Sequence, residues 1–103
     1  SQLIKVMGLN GDMSGYKNIV AWRKGKELTS IILQMADQAR GIGARTLLEQ
    51  MSRSALSIPS NIAEGYRKNS FKGKRHAYTI AFGSASELET QLEILKDHRG
   101  FKM

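Results

Sequence analysis

The stretch that decides the fold is MSRSALSIPSNIAEGYRK, residues 51–68. Apolar side chains recur in it three or four residues apart, the spacing that places them on one face of an amphipathic helix. That face, which begins just before the stretch, consists of Leu48, Met51, Ala55, Ile58 and Ile62. The pattern predicts a helix over residues 44–67.

The single proline of the chain, Pro59, lies in the middle of this predicted helix. A proline there lacks the N–H group that a helix needs and clashes with the carbonyl of Ala55, so a kink is expected. Two helices with a break near residues 57–58 are the alternative. We favour one bent helix, because the apolar repeat passes the proline without a change of register.

Two further segments, residues 18–38 and 74–99, show the same helical spacing. The apolar face of the first is Ala21, Gly25, Leu28, Ile32 and Met35. The apolar face of the second is Tyr78, Ala81, Ala85, Leu88, Leu92 and Leu95. Ser14 or Asn18 is expected to cap the first of these helices, and the glycines of GIG, residues 41–43, are expected to end it.

No hairpin pattern interrupts these segments, so the predicted class is all-α. Three long helices joined by short links are expected to pack antiparallel, as an up-and-down helical bundle. Three such faces leave apolar flanks uncovered, which favours association with further copies of the chain. The bundle domain is assigned to residues 16–103. Residues 1–15 are interpreted as an N-terminal extension, either a tag or upstream residues, with Met13 as a candidate natural start.

The composition indicates an anionic partner. The 103 residues carry a net charge of +7, and nucleic acid is the commonest partner of a domain this basic. Cysteine is absent, which excludes disulfides and thiolate metal sites and fits a reducing compartment. No apolar run is long enough to span a membrane. We therefore predict a cytoplasmic protein without membrane attachment.

Most of the positive charge lies in GYRKNSFKGKRH, residues 65–76, which are expected to form a basic loop between the second and third helices. The candidate phosphate-binding residues of this loop are Arg67, Lys68, Lys72, Lys74 and Arg75. A second cluster is Arg23, Lys24 and Lys26, which antiparallel packing should bring to the same end of the bundle. Tyr66 and Phe71 are candidates for stacking on unpaired bases. The alternative is a merely solvated loop whose two aromatic residues cover the end of the bundle.

Groups for catalysis do not converge in this sequence. His76 and His98 lie near opposite ends of the third predicted helix, and the glutamates that precede His98 lack the Glu-x-x-His spacing of a di-iron bundle. No phosphate-binding glycine loop or serine nucleophile motif is present. We predict no enzymatic activity, no cofactor and no metal site.

A polar face runs along the second predicted helix and comprises Glu49, Arg53, Ser57 and Asn61. An ion pair between Glu49 and Arg53 is expected from their separation of four residues. This face is interpreted either as solvated surface or as an interface, with Asn61 and Glu64 the better candidates for contacts to a neighbouring subunit.

The run RSALSIPSNIAEG, residues 53–65, resembles the signature of a known family. These are the four-helix bundle proteins encoded in intervening sequences of bacterial 23S ribosomal RNA genes, and they include the accessory variability proteins of diversity-generating retroelements. Three further runs agree with it: VAW and KEL, residues 20–22 and 26–28, and AFGSASELE, residues 81–89. The resemblance covers most of residues 16–96.

The resemblance implies up-and-down bundles that assemble as rings, commonly pentamers. From the retroelement branch it implies that a basic surface binds nucleic acid and a protein partner such as a reverse transcriptase. The family's fourth helix has no counterpart before Met103, so it is apparently missing here, and we expect a symmetry-related copy to cover the exposed apolar face. Residues 1–12 have no family counterpart either.

These observations together predict an oligomeric, non-enzymatic accessory or ribonucleoprotein module that binds RNA or DNA through the basic loop. Two alternatives are a protein-interaction scaffold and a protein carried by a mobile element without retained activity.

Overall fold

Residues 15–98 are described in the computed structural model, and they form a short 3₁₀-helix followed by three long helices. The 3₁₀-helix is Gly15–Asn18, and the long helices are α1 (Val20–Gln38), α2 (Ile42–Arg67) and α3 (Phe71–Asp97). This part of the chain contains no strand, which confirms the all-α class. Of the predicted N-terminal extension, only Gly15 belongs to the described residues. None of the helices in this range combines the length and the apolar character needed to cross a membrane.

The start of α1 differs from the prediction. Ile19 occupies the N-cap position and makes no side-chain capping bond. Asn18 belongs instead to the 3₁₀-helix, and the next N–H group, that of Ile19, donates to the Tyr16 carbonyl at 2.9 Å. The prediction that Asn18 caps α1 is therefore wrong, because the 3₁₀ turn incorporates this residue. Ser14, the other predicted cap, lies outside the described residues.

The GIG segment separates α1 from α2, but in a different way from the one predicted. α1 already ends at Gln38, where the N–H group of Ala39 donates to the Ala36 carbonyl at 3.3 Å. Gly41 has a φ angle of 87° and is the N-cap of α2 rather than the end of α1. Glycine is needed there, because a Cβ atom is strained at positive φ.

Pro59 lies inside one uninterrupted helix, α2, which confirms the single-helix interpretation. Two polar side chains next to the proline donate hydrogen bonds to backbone carbonyls one turn earlier. The Ser60 hydroxyl donates to the Leu56 carbonyl at 2.8 Å, and the Asn61 amide donates to the Ser57 carbonyl, also at 2.8 Å. They add hydrogen bonds in the turn of the proline, whose missing N–H group leaves the Ala55 carbonyl without its helical partner.

α2 is the central helix and packs along both α1 and α3. The beginning of α1 meets the end of α2, where the rings of Tyr16 and Tyr66 are 6.2 Å apart. The end of α3 meets the beginning of α2, where the His98 ring lies beside Gly43. Both outer helices are therefore antiparallel to α2, as predicted. Within residues 15–98, the backbones of α1 and α3 each lie close to α2 but not to each other.

The core lies along the two contacts of α2. Leu48 and Met51 of α2 and Leu95 of α3 are the largest side chains that are completely buried. Ala44 and Ala55 of α2 are also buried in the core, and their small side chains allow the neighbouring backbones to approach closely. Because each outer helix has only one neighbour, a wide apolar groove remains between α1 and α3.

The buried face of α1 is rotated relative to the predicted one. Its members are Gly25, Thr29, Ile32 and Ala36. Predicted core residues Ala21 and Leu28 are exposed, and Met35 is only half-buried. Thr29 is tolerated in the contact because its hydroxyl donates to the Gly25 carbonyl at 2.7 Å. The prediction was wrong here because it assumed that the whole apolar face is covered, whereas α1 packs on one helix only.

The same reason shifts the buried face of α3. Its buried residues are Ala77, Ala81, Leu88 and Leu95. Tyr78 and Ala85, which were predicted to join the core, are exposed, and Leu92 is half-buried. Tyr78 remains partly exposed although its ring packs on Gly65 of α2, and Ala85 and Leu92 line the groove.

Candidate nucleic-acid interface

The basic segment 65–76 is not a loop, which corrects the prediction. Residues 65–67 complete α2 and residues 71–76 begin α3, so that only residues 68–70 link the two helices. Ser70 caps α3, since its hydroxyl accepts a hydrogen bond from the Gly73 N–H group at 3.0 Å. The run of charges suggested a solvated loop, but this cap and the helical hydrogen bonds hold the backbone in two closely joined helix ends.

An aromatic cluster joins the beginning of α1 to the end of α2. The Tyr16 ring meets the Trp22 ring edge-on at 5.3 Å and the Tyr66 ring at 6.2 Å. The cluster holds the beginning of α1 beside the end of α2, and the short link 68–70 places the beginning of α3 there as well, so the two predicted basic groups lie at the same end of the molecule. Tyr66, a predicted stacking residue, is itself engaged in this cluster.

Four of the predicted phosphate-binding residues have contacts within the chain: Lys26, Arg67, Lys68 and Lys74. The Arg67 guanidinium lies 5.0 Å from the centre of the Tyr16 ring, and the Lys26 amine lies 5.6 Å from that of Trp22. Lys68 pairs with Glu64 at 3.5 Å, and both side chains are exposed. Such surface pairs are weak enough to exchange for a phosphate.

Lys74 has a structural role that the sequence did not reveal. Its amine donates to the carbonyls of Gly65 and Tyr66 at 3.1 and 2.8 Å and lies 5.8 Å from the centre of the Tyr66 ring. These carbonyls belong to the last turn of α2, where helical partners are lacking. Lys74 therefore caps α2 from the first turn of α3.

The other four predicted phosphate-binding residues are exposed: Arg23, Lys24, Lys72 and Arg75. No carboxylate among residues 15–98 lies within 4.0 Å of their charged groups. We call this set the uncommitted cations. Two of them project from α1 and two from α3, and each is held on a regular helix.

Charge is distributed unequally along the molecule. The end that contains the aromatic cluster carries Lys17, Arg23, Lys24, Lys26, Arg67, Lys68, Lys72, Lys74 and Arg75. Among residues 15–98, the acidic residues at this end are Glu27 and Glu64. At the other end, described basic residues such as Arg40 and Arg45 are balanced by carboxylates such as Asp37 and Glu49. We call the first end the basic end, and its field attracts anions.

Phe71, the second predicted stacking residue, is 81% exposed. It begins a row along α3 that continues through Arg75, Tyr78 and Phe82 and borders a shallow depression of about 460 Å³. Sequence reasoning missed Phe82 and assigned Tyr78 to the core. Their spacing of four, three and four residues was visible, but it does not distinguish an exposed helical face from a buried one.

The polar face of α2 differs in part from its prediction. Glu49 pairs with Arg45, one helical turn before it, at 3.5 Å, and the predicted pair with Arg53 is not formed. Ser57 accepts a hydrogen bond from the Ser84 hydroxyl at 2.7 Å, and the Ser54 hydroxyl donates to Glu87 at 2.9 Å. These bonds connect α2 to α3 and give the polar face a structural purpose.

A metal centre finds no support in the described residues, where no group of three or more histidine, aspartate or glutamate side chains converges. His76 and His98 belong to the beginning and the end of α3, about 33 Å apart at the rise of an α-helix.

Comparison with known proteins gives one match. A family model described as 23S rRNA-intervening sequence protein matches residues 17–102. No curated protein and no solved structure matches the chain.

Proposed function

The chain belongs to the family of 23S rRNA-intervening sequence proteins, and from this premise we propose that it is a non-enzymatic module that binds nucleic acid through its basic end. As an accessory or ribonucleoprotein component it acts on RNA or DNA in the cytoplasm and needs no cofactor. Binding rests on the phosphate backbone, so its dependence on base sequence is weak.

The observation that carries this proposal is the position of the uncommitted cations. Arg23 and Lys24 on α1 and Lys72 and Arg75 on α3 are exposed and unpaired with any carboxylate of the described chain. On a merely solvated surface, positive and negative side chains are usually interspersed. A surface that binds nucleic acid and releases its counterions instead presents a cluster of positive side chains. Helical backbones hold these four residues, so little conformational entropy of the main chain is lost on binding.

The remaining basic residues have secondary roles in this proposal. Lys68 exchanges Glu64 for a phosphate, and Lys26 and Arg67 add charge beside the rings on which they lie. Lys74 contributes to the field of the basic end, while its amine remains on the carbonyls of α2.

A salt titration of binding tests the proposal. With four phosphates neutralised, the logarithm of the binding constant should fall with the logarithm of salt concentration with a slope of about −3 for a single strand. Changing all four uncommitted cations to glutamine should remove most of this slope. The matched control is Arg40→Gln with Arg53→Gln and Lys96→Gln, three exposed cations outside the basic end, which should leave most of the slope in place. A slope near zero, or equal slopes in both variants, would contradict the proposal.

We further infer that the chain forms a homo-oligomer. The groove between α1 and α3 has a volume of about 370 Å³ and a lining that is almost entirely apolar, with Leu28, Ile31 and Met35 on one side and Ala85, Leu88 and Leu92 on the other. Contact of such a groove with water is unfavourable, and a helix from a second copy would cover it. The pentamer that the family resemblance implies is one arrangement that achieves this.

Light scattering tests the association. Ile31→Glu places a charge in the groove, whereas Leu33→Glu changes an equally exposed residue of α1 that does not line it. The first variant should lower the mass in solution, and the second should not. A wild-type protein that is a stable monomer contradicts the inference.

The groove also favours a second candidate function, that of a protein-interaction scaffold. A protein partner such as a reverse transcriptase would then place an apolar helix in the groove and an acidic surface on the basic end. Purification with one protein partner and without nucleic acid would favour this function over the first.

A further inference from the structure

A row of side chains runs along the first half of α3 and borders a shallow depression. It consists of Phe71, Arg75, Tyr78 and Phe82, and we call it the α3 row. Phe71 and Phe82 are 81% and 77% exposed, and Tyr78 is 39% exposed. Large aromatic side chains this exposed are unusual on a solvated helix and indicate a binding surface.

We propose that the α3 row is a stacking platform that makes the protein selective for single-stranded nucleic acid over duplex. This inference rests on the proposed function, since it assigns the strand class that the basic end binds. Phosphates of the strand contact the basic end, while its unpaired bases stack on the rings of Phe71 and Phe82 and meet the exposed part of Tyr78, whose ring also packs on Gly65 of α2.

Charge favours a polyanion over a protein helix as the occupant of the row. Residues 65–86 contain no aspartate or glutamate, so α3 is basic or neutral along the whole row, and Glu64, which precedes this range, pairs with Lys68. The guanidinium of Arg75 lies between the aromatic positions without a carboxylate partner in the described chain. If two copies met face to face through this row, their Arg75 side chains would lie close together, which is unfavourable.

The depression beside the row has a suitable composition for nucleotides. Its lining combines the three rings with Lys74, Arg75 and Thr79. The rings offer flat apolar faces, and the arginine offers a planar cation that stacks on bases or pairs with phosphate. Next to Phe82, the Cβ position of Gly83 has no neighbouring atom within 4 Å, so the backbone there is open to a close approach.

Ring spacing indicates a flexible strand. At the rise of an α-helix, about 10 Å separates residues 71 and 78 along the axis and about 6 Å separates residues 78 and 82. Bases within a duplex stack on their own neighbours and expose only their edges, so they offer no face to a phenyl ring. An unpaired strand can turn successive bases outward to meet rings at these separations.

Fluorescence anisotropy with two probes tests the inference on the full chain. One probe is a labelled oligouridine of about 20 nucleotides, long enough to exceed the site size of single-strand binders. The other is a duplex RNA of the same length. The wild-type protein should bind the oligouridine more tightly than the duplex. Phe82→Ala should weaken oligouridine binding about 5- to 30-fold and leave its salt slope unchanged, because a ring stacks without releasing counterions.

Two matched controls separate stacking from other effects. Ile94→Ala shortens another exposed apolar residue of α3 and should not change affinity. Arg75→Gln should lower the salt slope by about 0.7. Phe82→Ala should fold normally, because the side chain is mostly solvent-exposed and alanine is a better helix former.

Three outcomes overturn the inference in distinguishable ways. If neither probe binds, the proposed function fails together with it. If both probes bind equally and Phe82→Ala changes neither, the basic end binds nucleic acid but the row is not a stacking platform. If Phe82→Ala lowers the mass in solution and leaves affinity unchanged, the row is an interface between copies of the chain.

Discussion

Replacement of Lys74 by methionine separates its two roles, the capping of α2 and the attraction of nucleic acid by its positive charge. Its amine donates hydrogen bonds to the carbonyls of Gly65 and Tyr66 at 3.1 and 2.8 Å. Each such bond contributes about 1 kcal/mol net, and a cation at a helix C-terminus adds up to about 1 kcal/mol. Because the side chain is partly exposed, we expect Lys74→Met to lower the free energy of unfolding by about 2 kcal/mol.

Thermal unfolding followed by circular dichroism measures this effect. For a domain of this size, a loss of about 2 kcal/mol lowers Tm by about 10 °C. Lys72→Met is the matched control, since Lys72 is exposed in the same first turn of α3. Removing either cation relieves the same unfavourable interaction with the α3 dipole, so the difference in Tm reports the contacts of Lys74 with α2. Protein concentration is held constant, because self-association also shifts Tm.

Nucleic-acid binding by the same two variants completes the experiment. Lys72→Met should lower the salt slope by about 0.7, as expected for one lost phosphate contact. Lys74→Met should lower it by less, because its amine is already occupied by α2. Equal Tm values for the two variants, together with equal losses of slope, would refute the assignment of Lys74 as a helix cap.

Three further substitutions test the packing by chemical denaturation. Gly83→Ala should raise the free energy of unfolding by about 1 kcal/mol, because the added methyl group meets nothing within 4 Å and alanine favours the helix. An unchanged value would mean that α3 is not helical there. Gly25→Ala should lower the free energy of unfolding by about 1 kcal/mol. The new Cβ atom lies 3.0 Å from the Pro59 ring, and overpacking of about 2 kcal/mol exceeds the gain in helix propensity. A stabilised variant would exclude this close helix contact. Leu48→Ala should lower the free energy of unfolding by about 3 to 5 kcal/mol, because Leu48 is completely buried, and a loss below about 1 kcal/mol would contradict its place in the core.

Much of the candidate site was predictable, because the clusters of like charge are visible in the sequence and antiparallel helices bring their ends together. Local spacing could not reveal which cations are already engaged. Lys74 and Lys72 look equivalent as residues, yet one contacts the carbonyls of another helix and the other extends into solvent. That difference depends on where the end of α2 lies in space.

The amino-acid sequence by itself determined three helices, their approximate limits and one uninterrupted helix across Pro59. Periodicity of apolar residues is a local property, and each helix carries its own. The tertiary structure alone decided which part of each apolar face is buried, because in the described residues the backbones of α1 and α3 each lie close to α2 and not to each other. For that reason Leu28 remains exposed despite its core-like spacing, and Tyr78 stays 39% exposed although its ring packs on Gly65 of α2. The same arrangement opens the apolar groove and leaves Phe71 and Phe82 on a free face of α3, since burial depends on neighbours that periodicity does not specify.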